Sequence, residues 1–342
     1  MRAAIERHLN KHWYSSHQPP WYLRMLEPVY RSVYQRKHEE QKAASDVFQP
    51  GLPLVVVGNI TAGGTGKTPL VIALSQLAVE MNLKPGIAST GYGRQSRETL
   101  AVQADSDTKQ CGDEPVLLAR RTGVPVVVAA RRSDAIRKLH ETGVDLVISD
   151  DGLQQADLHR GIDICVVDGS RGLGNGRLLP AGPLREPIER LELVDWVITN
   201  GVWADKPDDL CVSIMQLQAT VVQSLDDSKS HTLAGFLENQ QGESLHAVAA
   251  IGNPNRFFSM LEQYGMHITP HSFADHHCFT KEDFASMAGA ATIIMTEKDA
   301  VKCRGLGLEN AWYVPVDAIL PDQFIQDFKN RLENLTGDRS CQ

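Results

Sequence analysis

No stretch of this 342-residue chain reaches the ~18 consecutive apolar residues of a membrane-spanning helix, so nothing in it reads as a transmembrane segment. Met1 to Lys11 is charged and polar and lacks the apolar run of a signal peptide. The cysteines Cys111, Cys165, Cys211, Cys278, Cys303 and Cys341 form no C-x-x-C pair and show no metal-ligand spacing. That argues against a disulfide framework or a zinc site and points to a reducing compartment. Basic charge is not in excess either. Lys and Arg number 34 against 42 Asp and Glu, a net charge of −8, so no nucleic-acid partner is expected. There is no internal repeat. Aromatics are scarce, yet Trp13, Tyr14, Trp21, Tyr22, Tyr30 and Tyr34 crowd the first tenth of the chain. What remains, 42% hydrophobic and 22% charged, is an ordinary globular composition, long enough for two α/β domains.

The stretch that stands out is Gly58 to Pro69, GNITAGGTGKTP. Before it lies Leu54-Val55-Val56-Val57, a short β-branched run; after it Leu70, Leu74, Leu77 and Met81 recur at helical spacing. A buried strand, a glycine turn and an amphipathic helix are the setting of a P-loop. In Gly63-Gly64-Thr65-Gly66 the glycines let backbone N–H groups converge on phosphate oxygens, Lys67 reaches the β/γ-phosphates, and the Thr68 hydroxyl suits Mg²⁺. Pro69 fits a helix's first turn. The strict pattern G-x-x-x-x-G-K-[ST] wants glycine at position 61, where this chain has Thr61. The competing reading is a plain glycine turn; the setting favours a nucleoside triphosphate site.

From Leu54 to about Asn200 strand-like runs alternate with helical ones: Leu54–Val57, Pro85–Ala88, Pro125–Ala129, Leu146–Ser149, Ile162–Val167 and Trp196–Thr199. This predicts a P-loop NTPase-like parallel sheet with helices on both faces, its site at the strands' carboxyl ends. Gly58, Asp150 and Asp168 stand at such ends. Val212–Leu217 and Ala219–Val222 predict a short β-ribbon linker to a second, smaller α/β domain. That domain would hold Ala247–Ile251, a helix around Phe257–Tyr264, Ala291–Met295, Trp312–Val316 and a final helix with Phe324, Phe328 and Leu332. The expected division is 1–40, 41–208 and 209–342. In the first part Tyr22, Leu23, Leu26, Tyr30 and Val33 share one helical face, with Pro28 set to kink or split the helix. That face fits either packing on the core or an interfacial helix with aromatics at headgroup level. Residues 38–50 read as a polar connector.

Other residues carry chemistry. Asp150-Asp151-Gly152 ends an apolar strand some eighty residues after the P-loop, which favours Mg²⁺ ligation over a simple turn. Asp113-Glu114-Pro115 fits a helix cap and a catalytic carboxylate equally well. Asp275-His276-His277 fits a base or phosphate contact, though histidines side by side are more often structural. The glycine-dense Asp168 to Pro187 reads as a long ordered loop that brings Arg171, Arg177 and Arg185 toward phosphates, with Arg131 and Arg132 at an equivalent edge.

Taken together, GNITAGGTGKTP, STGYG (89–93), GDEP (112–115), DDGLQ (150–154), GNGRLLPAGPLREP (174–187), IGNP (251–254), FADHH (273–277) and TEKDAVK (296–302) closely resemble the tetraacyldisaccharide 4′-kinase family, in the family's order. GGTGKTP is shared with many NTPases; LLPAGPLREP, DDGLQ and TEKDAVK are far more specific. The resemblance implies ATP- and Mg²⁺-dependent phosphorylation of the 4′-hydroxyl of a tetraacyl glucosamine disaccharide 1-phosphate, forming lipid IVA. It implies a glycolipid substrate and a peripheral place on the cytoplasmic face of the bacterial inner membrane. By position, it implies that Lys67 contacts phosphates while Thr68, Asp150 and Asp151 handle Mg²⁺. Asp113 paired with His276 would activate the sugar hydroxyl, and Arg131, Arg185 and Glu186 would form a polar wall around the substrate. The chain departs from the family's DDGFQH at Gln155, where the histidine would stand. Two other readings are a deviant-Walker regulatory ATPase, whose signature lysine is replaced by Ala62, and a nonenzymatic membrane-associated nucleotide-binding module.

Overall fold

The computed structural model describes residues 2–15, 17–43, 47–155, 157–240, 245–287 and 291–337. Cys341 with the end of the polar tail, and positions 44–46 of the connector, lie outside them. The first strands are β1 (Leu54–Gly58), β2 (Pro85–Ser89), β3 (Leu100–Val102), β4 (Val126–Val128), β5 (Leu146–Asp150), β6 (Ile162–Asp168), β7 (Trp196–Asn200) and β8 (Ser213–Gln218). Then come β9 (Val221–Ser224), β10 (Ser230–Thr232), β11 (Leu245–Ala249), β12 (Ile268–Ser272), β13 (Thr292–Thr296), β14 (Ala311–Val314) and β15 (Asp317–Ile319). The helices are α1 (Arg2–Trp13), α2 (Trp21–Ala43), α3 (Lys67–Glu80), α4 (Thr108–Cys111), α5 (Asp113–Thr122), α6 (Arg132–His140), α7 (Leu233–Asn239), α8 (Pro254–Gln263), α9 (Glu297–Cys303) and α10 (Asp322–Gly337).

The strands build two sheets, ordered β15-β8-β7-β6-β1-β5-β2-β4-β3 and β10-β9-β14-β13-β11-β12. The large sheet is parallel except at its edges, where β3 runs against β4 and β15 against β8. Its central strand β1 is buried along its whole length, and the pleat sends alternate residues to opposite faces. Val55 and Val57 join Leu70 and Leu74 of α3 on one side; Leu54 and Val56 join Ile136 and Leu139 of α6 on the other. In the small sheet β11, β13 and β14 are parallel neighbours, and Ala247 and Val248 likewise face separate cores.

Two details depart from the sequence reading. The expected linker segments are both strands but do not form a ribbon with each other: β8 pairs with β7 and antiparallel with β15, while β9 joins the small sheet beside β14. Only Ala219 and Thr220 separate β8 from β9, and the chain simply passes from one sheet to the other there. As a consequence, residues 317–337, assigned by sequence to the second unit, return to the first. Phe324, Phe328 and Leu332 of α10 pack into the core that holds Val55 and Leu70.

Helix α2 runs through Pro28 without splitting. Proline has no N–H to offer the Arg24 carbonyl one turn back, and both residues lie on the exposed side of the helix, where that loss is least costly. Its two faces divide the alternatives left open by the sequence. Leu23, Glu27, Tyr30 and Tyr34 turn toward the protein, whereas Trp21 (70% exposed), Met25 (68%), Leu26, Val29 and Val33 (61%) turn outward.

Candidate active site

The P-loop leaves β1 and enters α3 through Gly66, whose left-handed backbone (φ 99°) suits glycine. A side chain there would also overlap the Asn200 amide, which donates to the Thr65 carbonyl at 3.2 Å. Lys67 Nζ stands 3.1 Å from Asn59 Oδ1 and 3.2 Å from Asp151 Oδ1; Thr68 follows in the same turn. Asn59 in turn donates to the carbonyls of Thr61 and Gly63, bracing the loop from inside. The irregular Thr61 is explained by its neighbours. It is buried against Leu184, while the Ala62 N–H donates to Pro183 O at 2.7 Å and the Arg185 N–H to Ile60 O at 2.7 Å. The LLPAGPLREP loop therefore forms one wall of the cradle.

Asp150 ends β5, next to β1, and Asp151 follows it in the turn. Asp150 is buried; its Oδ2 accepts from Ser89 Oγ at 3.5 Å, and its Oδ1 has no hydrogen-bond partner among the described residues. Burial, with the like charges of Glu114 and Asp151, pushes Asp150 up to about 7. Burial would raise Asp151 too, but Lys67, Arg185 and Arg132 hold it down to about 2. An orphaned carboxylate oxygen beside a second carboxylate and a threonine-bearing helix start is the oxygen-rich set a hard divalent cation takes. The residues present fit Mg²⁺.

Of the paired arginines 131 and 132, the structure brings in the second. Arg131 is exposed at the start of α6 and has no side-chain hydrogen bond or ion pair among the described residues. Arg132 is buried and donates to Ser149 Oγ at 2.8 Å, to the Asp151 carbonyl at 3.0 Å and to the Asp150 carbonyl. It thus holds Asp151 in its left-handed backbone (φ 57°). A signal for this was present: Ala135, Ile136 and Leu139 place the buried face of α6 at i+3, i+4 and i+7 from Arg132.

Arg185 lies 3.5 Å from Asp151 Oδ2, and the buried Glu186 accepts from Gln154 Nε2 at 2.6 Å and Tyr34 OH at 3.3 Å. A cavity of about 610 Å³ opens beside them, lined by Tyr30, Tyr34, Leu153 and Leu158 among others. Arg171 and Arg177 do not reach the cradle's acidic end; they bind the Gly252 carbonyl and Glu27 instead. Gln155 turns its amide oxygen inward without a hydrogen-bond partner among the described residues.

The second unit contributes the remaining chemistry. His276 Nδ1 lies 3.1 Å from both oxygens of Asp113, at the start of α5. Its backbone is left-handed (φ 59°), and its ring packs 5.0 Å from that of Tyr92, in the STGYG loop that begins at Ser89. Burial alone would raise Asp113, but Lys298, His276 and Lys302 hold it well below the carboxylate range. Burial alone would lower His276, but the hydrogen bond and charge of Asp113 raise it above 6.5. The neighbouring His277 is tied to Asp283 at 3.1 Å and packs among Phe273 and Phe279, a structural role.

Helix α5 is the shared surface of the two units. Besides Asp113–His276 it carries Glu114–Lys298 at 2.9 Å, Arg120–Asp227 at 2.7 Å and Arg121–Glu297 at 2.6 Å. The TEKDAVK motif (296–302) supplies cations to this surface. Its Lys298 lies half-buried between Glu114 and Asp275, and Lys302 between Asp299 and Asp113.

Comparison with known proteins completes the description. A family model for tetraacyldisaccharide-1-P 4′-kinase matches residues 19–333. A tetraacyldisaccharide 4′-kinase of Stenotrophomonas maltophilia is 43% identical over 333 residues, covering 95% of this chain and 96% of that protein. One from Pseudomonas syringae pv. syringae is 40% identical over 327 residues, 95% of this chain and 97% of that protein. Among solved structures, LpxK from Aquifex aeolicus in complex with ATP superposes with a TM-score of 0.73 at 23% identity. The match spans 91% of this chain and 97% of that one, and the fold is the same.

Proposed function

This chain belongs to the tetraacyldisaccharide-1-P 4′-kinase family and is an ATP-dependent lipid A 4′-kinase, and we propose that it activates the acceptor hydroxyl with the Asp113–His276 pair. Phosphoryl transfer asks for alignment, charge neutralisation and a proton acceptor, with little covalent work by the protein. The backbone of Gly63, Gly64, Thr65 and Gly66 cradles the phosphates, and Lys67 supplies a fixed positive charge. Thr68, Asp150 and Asp151 would hold Mg²⁺, which spreads the charge of the transferring group. Arg185 and Glu186 bind the acceptor side, next to the cavity under α2. Arg131 belongs to this wall only at its rim, since its side chain is exposed.

Asp113 is an anion over the whole working range, so the vacancy for the hydroxyl proton is set by His276. The observation that carries this reading is the 3.1 Å contact of His276 Nδ1 with both Asp113 oxygens. In functional parts, we take residues 1–40 as the membrane-facing segment, 41–218 with 317–337 as the nucleotide unit, and 219–316 as the smaller unit.

The partners in this reading are the glycolipid and the cytoplasmic face of the inner membrane, with no nucleic acid. The outward row Trp21, Met25, Val29 and Val33 supports surface attachment. No helix among the described residues is long and apolar enough to cross a membrane. The direct test follows label from the γ-phosphate of ATP. It should appear on the glycolipid with the unaltered protein and vanish from it in Asp113→Ala, with nucleotide binding kept. Label released as free phosphate in place of lipid product would favour the regulatory ATPase.

A further inference from the structure

The Asp113–His276 contact is not the only place where the second unit meets the nucleotide site. Asp168, buried at the end of β6, accepts from Arg256 Nη2 at 2.5 Å and from Asn253 Nδ2 at 3.0 Å. Both donors come from the second unit, at the start of α8. Within its own loop Asp168 also accepts from the Ser170 N–H and hydroxyl. Arg256 Nη2 donates again, to the Asn200 carbonyl at 3.0 Å, and the Asn200 amide holds Thr65 of the P-loop. Between these anchors Gly252 lies flat on the P-loop. A side chain at Gly252 would overlap the Gly64 nitrogen, one of the backbone donors aimed at phosphate. Arg171 fixes the Gly252 carbonyl at 2.9 Å from the other side.

An ionic contact to a buried carboxylate is strong and directional, and it sets register more sharply than apolar packing does. The pairs on α5 fix one end of the second unit; this one fixes the end that touches the phosphate cradle. We propose that Arg256 is a positioning residue for the phosphoryl transfer: through Asp168 and the Asn200 carbonyl it seats Gly252 on the P-loop, and so sets where His276 stands relative to the phosphates. It touches neither substrate nor nucleotide itself. The inference rests on the reading of Asp113 and His276 as the proton-accepting pair.

The test uses the full-length protein with ATP and the glycolipid acceptor in detergent. Arg256→Met strands the buried Asp168 charge, so the double variant Asp168→Asn with Arg256→Met is measured beside it. Both should lose about twenty-fold or more in kcat, while the Kd for a fluorescent ATP analogue stays within about three-fold. Arg256→Lys should recover part of the loss. Added to His276→Ala, Arg256→Met should cost less than about two-fold further, because it acts through the same group. A double variant that keeps kcat, a parallel loss of nucleotide affinity, or losses that multiply on the His276→Ala background would each overturn the proposal. A fully active His276→Ala would overturn the pair reading and this inference with it. An impaired His276→Ala beside an unaffected Arg256 variant would overturn this inference alone.

Discussion

His276 Nδ1 and the Asp113 carboxylate, 163 positions apart in the chain, meet at 3.1 Å across the boundary between the two sheets. Each changes the other's proton affinity: Asp113 raises His276, and His276 helps hold Asp113 ionised in spite of its burial. A pair built from both units forms only when they are seated together.

The pH dependence follows from those directions. With its proton affinity raised, His276 holds its proton to higher pH than an ordinary imidazole and the protonated pair has no vacancy, so kcat should rise with pH along a limb displaced to the alkaline side of the ordinary histidine range. In His276→Gln that limb should disappear. Stability has the opposite sense. The gain from a raised histidine is complete below 6.5 and fades as pH climbs through the folded value, so the thermal midpoint should lose that increment on the alkaline side. An unchanged limb in His276→Gln would remove the histidine from the proton step.

The orphaned oxygen of Asp150 predicts a metal phenotype. Asp150→Ala should raise the Mg²⁺ needed for half-maximal rate by about ten-fold or more, with the fold intact by circular dichroism. An unaltered Mg²⁺ requirement would take Asp150 out of the metal site.

The outward row on α2 predicts attachment to a surface. Serine at Trp21, Met25, Val29 and Val33 together removes side chains that make no part of the core. Flotation with vesicles containing anionic lipid should fall by about ten-fold or more, while turnover of detergent-dispersed acceptor persists. Undiminished flotation would show that this face does not carry the attachment.

Much of this was legible in the sequence, and the limits have physical causes. The P-loop, the paired aspartates and the strands between them are local patterns, and β1, β5 and β6 are parallel strands of one sheet as the alternation implied, although it gave no strand order. Thr61 looked irregular because its partner, Leu184, is far along the chain. The choice between Arg131 and Arg132 turned on helical phase, which the buried face of α6 settles. The return of β15 and α10 to the first sheet had no local signature, since an amphipathic helix fits any open apolar face. The ion pairs along α5 were likewise hidden, because charge types in a sequence do not say which partners meet.

The most direct measurement is a double-mutant cycle on kcat with Asp113→Ala, His276→Ala and both together, beside nucleotide affinity. Each single change should cost about a hundred-fold or more, and the double should be no worse than the poorer single, with ATP binding retained throughout. Losses that multiply, or either single variant turning over at the unaltered rate, would contradict a proton-accepting pair shared between the two units.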